Sequence, residues 1–202
     1  MHTKLIAFNG DKKLKAGLLK EVHKHYEQDQ IIKGTYGHQN GKWVGCAVGC
    51  SIRSYNILTG QTNSTSNHAT FEKFGIPEWL ARVQDAIFEG LPEKESVKWP
   101  ENFFKAIRPG ADLNKVKGPF CIFILKSALK NVDKKKFPDV VKSINDVIAL
   151  HKVNETDEAK WSAAWSAARS AAESAAESAA ESAARSAYSK FAKKLIELMK
   201  KA

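Results

Sequence analysis

The sequence predicts a mainly α protein, a single helical domain followed by a long C-terminal helix. Apolar residues recur at helical spacing, prolines and glycines stand where helices begin and end, and a repeat rich in alanine and serine fills the C-terminal part. With 202 residues, of which 43% are hydrophobic, the chain is long enough to bury one sizeable core. We therefore assign residues 1–155 to the globular domain and residues 156–202 to the C-terminal helix.

The N-terminal part begins with one short element and one amphipathic helix. Residues 4–8 are consistent with a short strand, which a polar turn ends. A surface helix follows over residues 11–28, where apolar residues recur every four positions and lysines occupy the other side. Residues 54–67 are rich in Ser, Thr and Asn and lack periodicity, so we expect an exposed loop there.

The remainder of the globular domain predicts further helices, most of them marked by proline. Pro77 opens a helix that Gly90 closes, and Pro100 and Pro138 open two others. Residues 118–129 begin as an apolar run without a polar side, which predicts a central buried helix. A buried strand of the same length fits that pattern too.

The C-terminal part falls into four-residue units that begin at Trp161 and share the letters Ser-Ala-Ala. Alanine is the best helix former, so we expect one helix from about Asp157 to about Lys200. Because a helical turn takes 3.6 residues, a four-residue repeat winds around the helix and forms no straight seam. This helix could be an interaction rod or a dimer contact, or a brace packed along its own domain.

Charge and cysteine content favour a cytoplasmic protein. Lys and Arg number 32 against 22 Asp and Glu, a net charge of +10 that is spread along the chain without a recognition motif for nucleic acid. The longest apolar run, residues 120–125, is far shorter than the about 20 residues of a membrane span. Three cysteines cannot form a closed disulfide framework, which fits a reducing compartment.

The segment of residues 45–50, Gly-Cys-Ala-Val-Gly-Cys, carries the richest chemistry. Its two glycines and two cysteines each recur at spacing four, so on a helix they would share one face and bring the thiols together. Glycine lets another backbone or a ligand approach closely. Two buried structural cysteines in a tight helix contact would explain the same pattern.

A reactive thiol also needs a nearby base or positive charge that lowers its pKa, and Lys42, His38 or His68 could supply one. The candidate catalytic residues are Cys46, Cys50 and His68. The candidate ligand-binding residues are Gly45, Gly49, His38 and Lys42. A lone Cys-x-x-x-Cys lacks the repeated spacing of structural zinc sites, so we expect neither a metal nor a cofactor. The acidic pair Asp85 and Glu89 is interpreted as helix surface, and Cys121 as core.

Several segments together resemble an uncharacterised protein family of bacteria and their phages. They are residues 30–36, 45–50, 68–72, 75–77, 87–92, 99–100 and 110–113, followed by the Ser-Ala-Ala tail. The resemblance implies a bacterial or phage origin and no established activity. The family pattern places a histidine where this chain has Arg53, which weakens any metal site shared at that position and leaves His68 as the better candidate.

These observations favour a cytoplasmic binding or interaction protein that acts through a protein partner or through self-association of its C-terminal helix. The first alternative is a cysteine- or metal-dependent enzyme that uses Cys46, Cys50 and His68. The second is a basic nucleic-acid-binding protein, whose affinity would fall steeply with salt.

Overall fold

A computed structural model describes residues 5–40, 42–130, 132–153 and 181–202, with backbone alone for residues 38–40, 42 and 181–186. This described chain is mainly helical, as predicted. Its α-helices are α1 (Lys12–Glu27), α2 (Ala47–Thr59), α3 (Glu78–Gly90), α4 (Glu93–Ser96), α5 (Trp99–Ala106), α6 (Asn114–Leu129), α7 (Pro138–Lys152) and α8 (Glu181–Lys201). Two 3₁₀ helices span Ala7–Gly10 and His68–Phe74. The short strands β1 (His38–Asn40) and β2 (Lys42–Val44) pair antiparallel, with His38 opposite Val44.

The chain forms two compact units. One comprises Met1–Asn114 together with Arg185–Ala202, and the other comprises Lys115–Ala184. In the described residues, no helix combines the length and the hydrophobicity that a membrane span requires.

The first unit is built around a cluster of buried aromatic rings, which we call the aromatic core. Its members are Phe8, Phe71, Phe74, Phe103 and Phe104, all fully buried. The Phe104 ring lies at the centre, with centroid distances of 5.5 Å to Phe103, 6.1 Å to Phe8 and 6.4 Å to Phe71 and Phe74. The 3₁₀ helix His68–Phe74 is thus fixed by two of its own rings.

The start of the chain differs from the expected strand. Within the described residues 5–8 there is no strand, and Ala7–Gly10 form a 3₁₀ helix in which Phe8 has a φ of 54°. The backbone of Ala7 pairs with another loop, donating to Ala111 O at 2.9 Å and accepting from Gly110 N at 2.8 Å. These two bonds hold the chain so that Phe8 enters the aromatic core, and that burial outweighs the local preference for a strand.

The loop expected over residues 54–67 is wrong in its first part, because α2 continues to Thr59 and ends at Gly60 with a φ of 68°. Hydroxyl groups inside α2 bond back to carbonyls one turn earlier, Ser54 to Cys50 and Thr59 to Tyr55, each at 2.8 Å. Polar residues of this kind therefore do not interrupt the helix.

The helices marked by prolines are confirmed, since α3, α5 and α7 begin at or next to the predicted residues. Residues 118–129 form a helix as well, but α6 is not buried on all sides: Phe120 is buried, whereas Cys121 and the four residues after it are half-buried. Within the second unit α6 packs on α7. The apolar residues of this contact are Val140, Ile144, Ile148, Ile122, Leu125, Leu129, Val132 and Phe137.

The C-terminal helix is present from Glu181 to Lys201, and the rest of the predicted helix lies outside the described residues. Its end packs on the first unit. The Tyr188 ring lies so close to Gly90 that a Cβ there would overlap it, and Ser189 Oγ donates to Glu95 Oε2 at 2.9 Å. Among the described side chains of the same helix, Ala192, Leu195 and Met199 are buried. The last turns of α8 therefore brace their own unit.

Candidate functional site

The Gly-Cys-Ala-Val-Gly-Cys segment is not one helical face, which corrects the sequence interpretation. Helix α2 begins only at Ala47, and Cys46 is the extended residue just before it, with a φ of −70° and a ψ of −179°. Gly45 is held outside the helix because its N–H donates to Gln30 O at 2.8 Å and its carbonyl accepts from Ile32 N at 3.0 Å. The two glycines, and likewise the two cysteines, therefore belong to different local structures.

Cys46 places its thiol at the N-terminus of α2. The Gly49 N–H donates to Sγ at 3.5 Å, and the Val48 N–H also stabilises the thiolate. Cys46 is only 2% exposed, and this burial raises its pKa to about 12, against the backbone donors that lower it. The negative charge of Asp85 raises the pKa further. At neutral pH the resting group is a protonated thiol.

His68 is the first residue of the 3₁₀ helix His68–Phe74 and is 9% exposed. The preceding Asn67 caps this helix, its side chain accepting from Ala69 N at 3.1 Å. The His68 Nε2 atom lies 3.0 Å from Asp85 Oδ2. His68 is predicted from the sequence as a companion of the cysteines, and in the structure His68 and Cys46 are both near Asp85, which hydrogen-bonds to His68 and whose charge acts on the Cys46 thiol.

Asp85 and Tyr36 belong to the same site, and sequence analysis missed both. Asp85 had been interpreted as helix surface, yet its Oδ2 accepts the Tyr36 hydroxyl at 2.9 Å as well as contacting His68. The Tyr36 ring meets the His68 ring edge-on at 5.6 Å. Burial, and then the hydrogen bond to Asp85, raise the pKa of Tyr36 to about 12, so its hydroxyl is a donor at neutral pH. We call Tyr36, Cys46, His68 and Asp85 the thiol cluster.

A sequence signal for Asp85 does exist. It stands four residues after Ala81 and three before Phe88, and both of these are fully buried on α3. Positions at these spacings share one side of a helix, so Asp85 is on the inward side of α3. Tyr36 has no such signal, because it lies in the connection between α1 and β1.

Cys50 and the two glycines have roles within the chain itself. Cys50 is buried inside α2 with its Sγ 3.4 Å from Gly45 O, and burial raises the pKa of its thiol well above the usual value. A Cβ at Gly49 would overlap the Tyr36 carbonyl oxygen, and a Cβ at Gly45 would lie 2.8 Å from the Trp43 ring. The close approach that glycine permits is thus used by neighbouring parts of the same protein.

The other two predicted ligand-binding residues lie at the edge of what is described. His38 is the first residue of β1 and Lys42 the first of β2, but their side chains lie outside the described part of the chain. Among the side chains that are described, no three His, Cys, Asp or Glu residues are placed to hold a metal ion.

A separate cavity of about 540 Å³ lies between the end of α1 and the region of α4. Its lining is Tyr26, Glu27, Asp29, Ile31, Ile32, Glu93 and Val97. This cavity is distinct from the thiol cluster, because those lining residues include no member of it.

The thiol cluster combines a nucleophilic atom, a proton acceptor and hydrogen-bond donors, brought together from four separate segments of the chain. Polar and titratable groups that converge in this way are typical of active sites. No protein-family model, curated protein or solved structure matches the chain. The family resemblance stays a prediction, and the function has to be argued from the geometry.

Proposed function

We propose that the protein is a cysteine-dependent enzyme that transfers or hydrolyses acyl groups through Cys46. The observation that carries this proposal is the Asp85 carboxylate, which lies 3.0 Å from His68 Nε2 and whose negative charge acts on the neighbouring Cys46 thiol. A thiol that faces a carboxylate–imidazole pair has a route for its proton. Its position at the N-terminus of α2 adds two backbone N–H groups that stabilise developing negative charge on sulfur.

The thiol must lose its proton during the attack. With a Cys46 pKa of about 12, only about one molecule in 10⁵ holds a thiolate at pH 7. A preformed thiolate is therefore too scarce to be the working nucleophile. Removal of the proton by Asp85 while sulfur attacks avoids that penalty, as in other nucleophiles activated by an adjacent base.

The reaction follows from these positions. The Cys46 S–H proton passes to Asp85 as sulfur forms a bond to the acyl carbon, and the leaving group departs with that proton. Water then attacks the resulting thioester and gives a proton to Asp85, which passes it to the Cys46 sulfur as the C–S bond breaks, so that the acid leaves and both the thiol and the carboxylate are restored. His68 is a positioning residue in this scheme, because its ring is hydrogen-bonded to the carboxylate that takes the thiol proton.

The proposal is tested with p-nitrophenyl acetate, a simple activated ester. We expect release of nitrophenolate and an acetyl group on Cys46, located by peptide mass spectrometry. The Cys46→Ala variant should lose at least about 100-fold of the rate, the scale on which positioned nucleophiles and bases act. The Cys121→Ala variant is the matched control, because Cys121 is half-buried on α6 and should leave the rate unchanged. Acetylation confined to other residues, or an unchanged rate in Cys46→Ala, would overturn the proposal.

The compartment and origin of the protein belong to the same proposal. All three cysteines are free thiols, which supports a reducing compartment such as the cytoplasm. A bacterial or phage source follows from the family resemblance alone.

The other two predicted functions stay predictions. Binding through the C-terminal helix, to a protein partner or a second copy, depends on the alanine and serine repeat, most of which lies outside the described residues. Binding of nucleic acid rests on the net charge of +10.

A further inference from the structure

The thiol of Cys46 is covered, although it lies at the end of a helix. The Cys46 N–H donates to Thr35 O at 2.6 Å, and the Tyr36 carbonyl lies so close to Gly49 that no Cβ fits between them. Residues 33–37, which we call the strap, therefore run across the first turn of α2. Because Cys46 is only 2% exposed, an acyl substrate cannot reach its sulfur unless this cover moves.

The strap is attached to α3 mainly through exposed polar contacts. The Tyr36 hydroxyl donates to Asp85 at 2.9 Å, and the Gly34 N–H donates to Glu89 Oε1 at 3.1 Å. Lys33 Nζ donates to Glu89 O at 3.0 Å and also to Leu91 O. Exposed hydrogen bonds are readily replaced by bonds to water, so their net contribution is small.

The two glycines of the strap differ in their surroundings. Gly34 has a φ of +78°, and a Cβ built on it would meet no atom within 4 Å. Gly37 has a φ of +130°, and a Cβ built on it would lie 2.7 Å from Nε1 of the Trp43 ring. The Gly34 end of the strap is therefore held by polar contacts alone and can change its backbone angles once these break, while the Gly37 end is held by packing.

We infer that the strap closes the thiol at rest and lifts from its Gly34 end to admit the acyl substrate. This inference rests on the proposed function of Cys46. Lifting withdraws the Tyr36 hydroxyl from Asp85, so that of these two hydrogen bonds the carboxylate keeps the one to His68. Access to sulfur and the availability of its proton acceptor are thereby coupled in one movement.

The test is the rate at which iodoacetamide alkylates Cys46, followed by peptide mass spectrometry at about pH 8.5, where thiols react at a measurable rate. Tyr36→Phe removes one anchor and should accelerate alkylation about five-fold, the effect of one exposed hydrogen bond on an opening equilibrium. Loss of that bond removes a donor from the Asp85 carboxylate, whose unshielded charge raises the Cys46 pKa and by itself would slow the reaction, so acceleration reports access. Tyr26→Phe on α1 is the matched control and should leave the rate unchanged.

Gly49→Ala provides a second, independent variant. Its Cβ would overlap the Tyr36 carbonyl and displace the strap, so Cys46 should react faster still. Gly17→Ala is its control, because there a Cβ meets only the flexible end of Leu58, at 3.0 Å. Cys50, buried in α2, serves as a reference within each molecule: it should stay unlabelled when the strap opens and react only when the chain unfolds.

The results separate the two proposals. Unchanged alkylation of Cys46 in both Tyr36→Phe and Gly49→Ala, or alkylation of Cys46 and Cys50 at one common rate, would overturn the strap. Faster alkylation without any acetylation of Cys46 by p-nitrophenyl acetate would support the strap and remove the proposed enzyme. Acetylation of Cys46 with unchanged alkylation in both variants would support the proposed enzyme and overturn the strap.

Discussion

The aromatic core and the thiol cluster meet on the same short element, the 3₁₀ helix His68–Phe74, and they are held together in different ways. Phe71 and Phe74 enter a group of fully buried rings, where they contact each other and both contact Phe104. His68, at the other end of the element, joins a polar group whose hydrogen bonds converge on one carboxylate, that of Asp85. The free energy of unfolding should therefore depend mainly on the aromatic core, and the reaction mainly on the thiol cluster. Three changes should affect unfolding to a decreasing extent, namely Phe104→Ala, the titration of His25 and Asp85→Asn.

The largest effect should come from Phe104→Ala, which removes the ring at the centre of the aromatic core. Deletion of a fully buried phenylalanine costs about 3–5 kcal/mol in the free energy of unfolding, because a cavity remains. Urea unfolding of the two proteins measures this difference. Phe104→Leu fills part of the space and should cost clearly less. A loss below about 1 kcal/mol in Phe104→Ala would show that the rings do not form a tightly packed core.

A smaller effect should come from His25, which is polar but as buried as the core, at 4% exposed. Burial lowers the pKa of His25 below its ordinary value of 6.5, although the hydrogen bond to Gln30 opposes this. As the pH falls below 6.5, His25 takes up a proton more readily in the unfolded chain than in the folded chain. The stability contributed by neutral His25 is therefore present above that pH and is lost below it, by at most about 1.4 kcal/mol per pH unit.

Urea unfolding between about pH 7.5 and 5.5 checks the sign, since other groups titrate in both proteins and cancel in the comparison. His25→Gln should make the stability less dependent on pH. If the free energy of unfolding depended on pH equally in His25→Gln and in the parent, the lowered pKa assigned to His25 would be wrong.

The smallest effect on unfolding should come from Asp85→Asn, which keeps the shape of the thiol cluster and removes its charge. Two hydrogen bonds become weaker, for a loss of about 1 kcal/mol. The same change should lower the pKa of Cys46, because the Asp85 charge raises it, and the pH dependence of alkylation measures that shift. The opposite direction of shift would place Asp85 away from the sulfur.

The parts of the fold that could be predicted from the sequence are those with local signals. Helices α3, α5 and α7 follow from proline positions and apolar spacing, which are local signals. The strand expected at the start of the chain does not form because the burial of Phe8 favours a 3₁₀ helix there. The loop expected from residue 54 begins later because hydroxyl groups bond within α2 and the helix continues. Both errors arose where a contact outweighed the local preference.

The thiol cluster was only half predicted, for a similar reason. Cys46 and His68 were named from their chemistry and their nearness in sequence. Asp85 was missed because its partners stand 17 and 49 residues away, and no spacing rule joins residues that only the packing of α3 brings together. Cys50 has the right spacing from Cys46, but the helix starts between them and turns its thiol inward.

The central claim is that the Cys46 thiol and the Asp85 carboxylate act as one unit, and a double-mutant cycle tests it most directly. The rate of p-nitrophenyl acetate cleavage is measured for Cys46→Ala, Asp85→Asn and the double variant. The account predicts that each single change lowers the rate about 100-fold and that the double variant is no slower than the slower single variant. Losses that multiply in the double variant, or an Asp85→Asn rate equal to that of the parent, would contradict it.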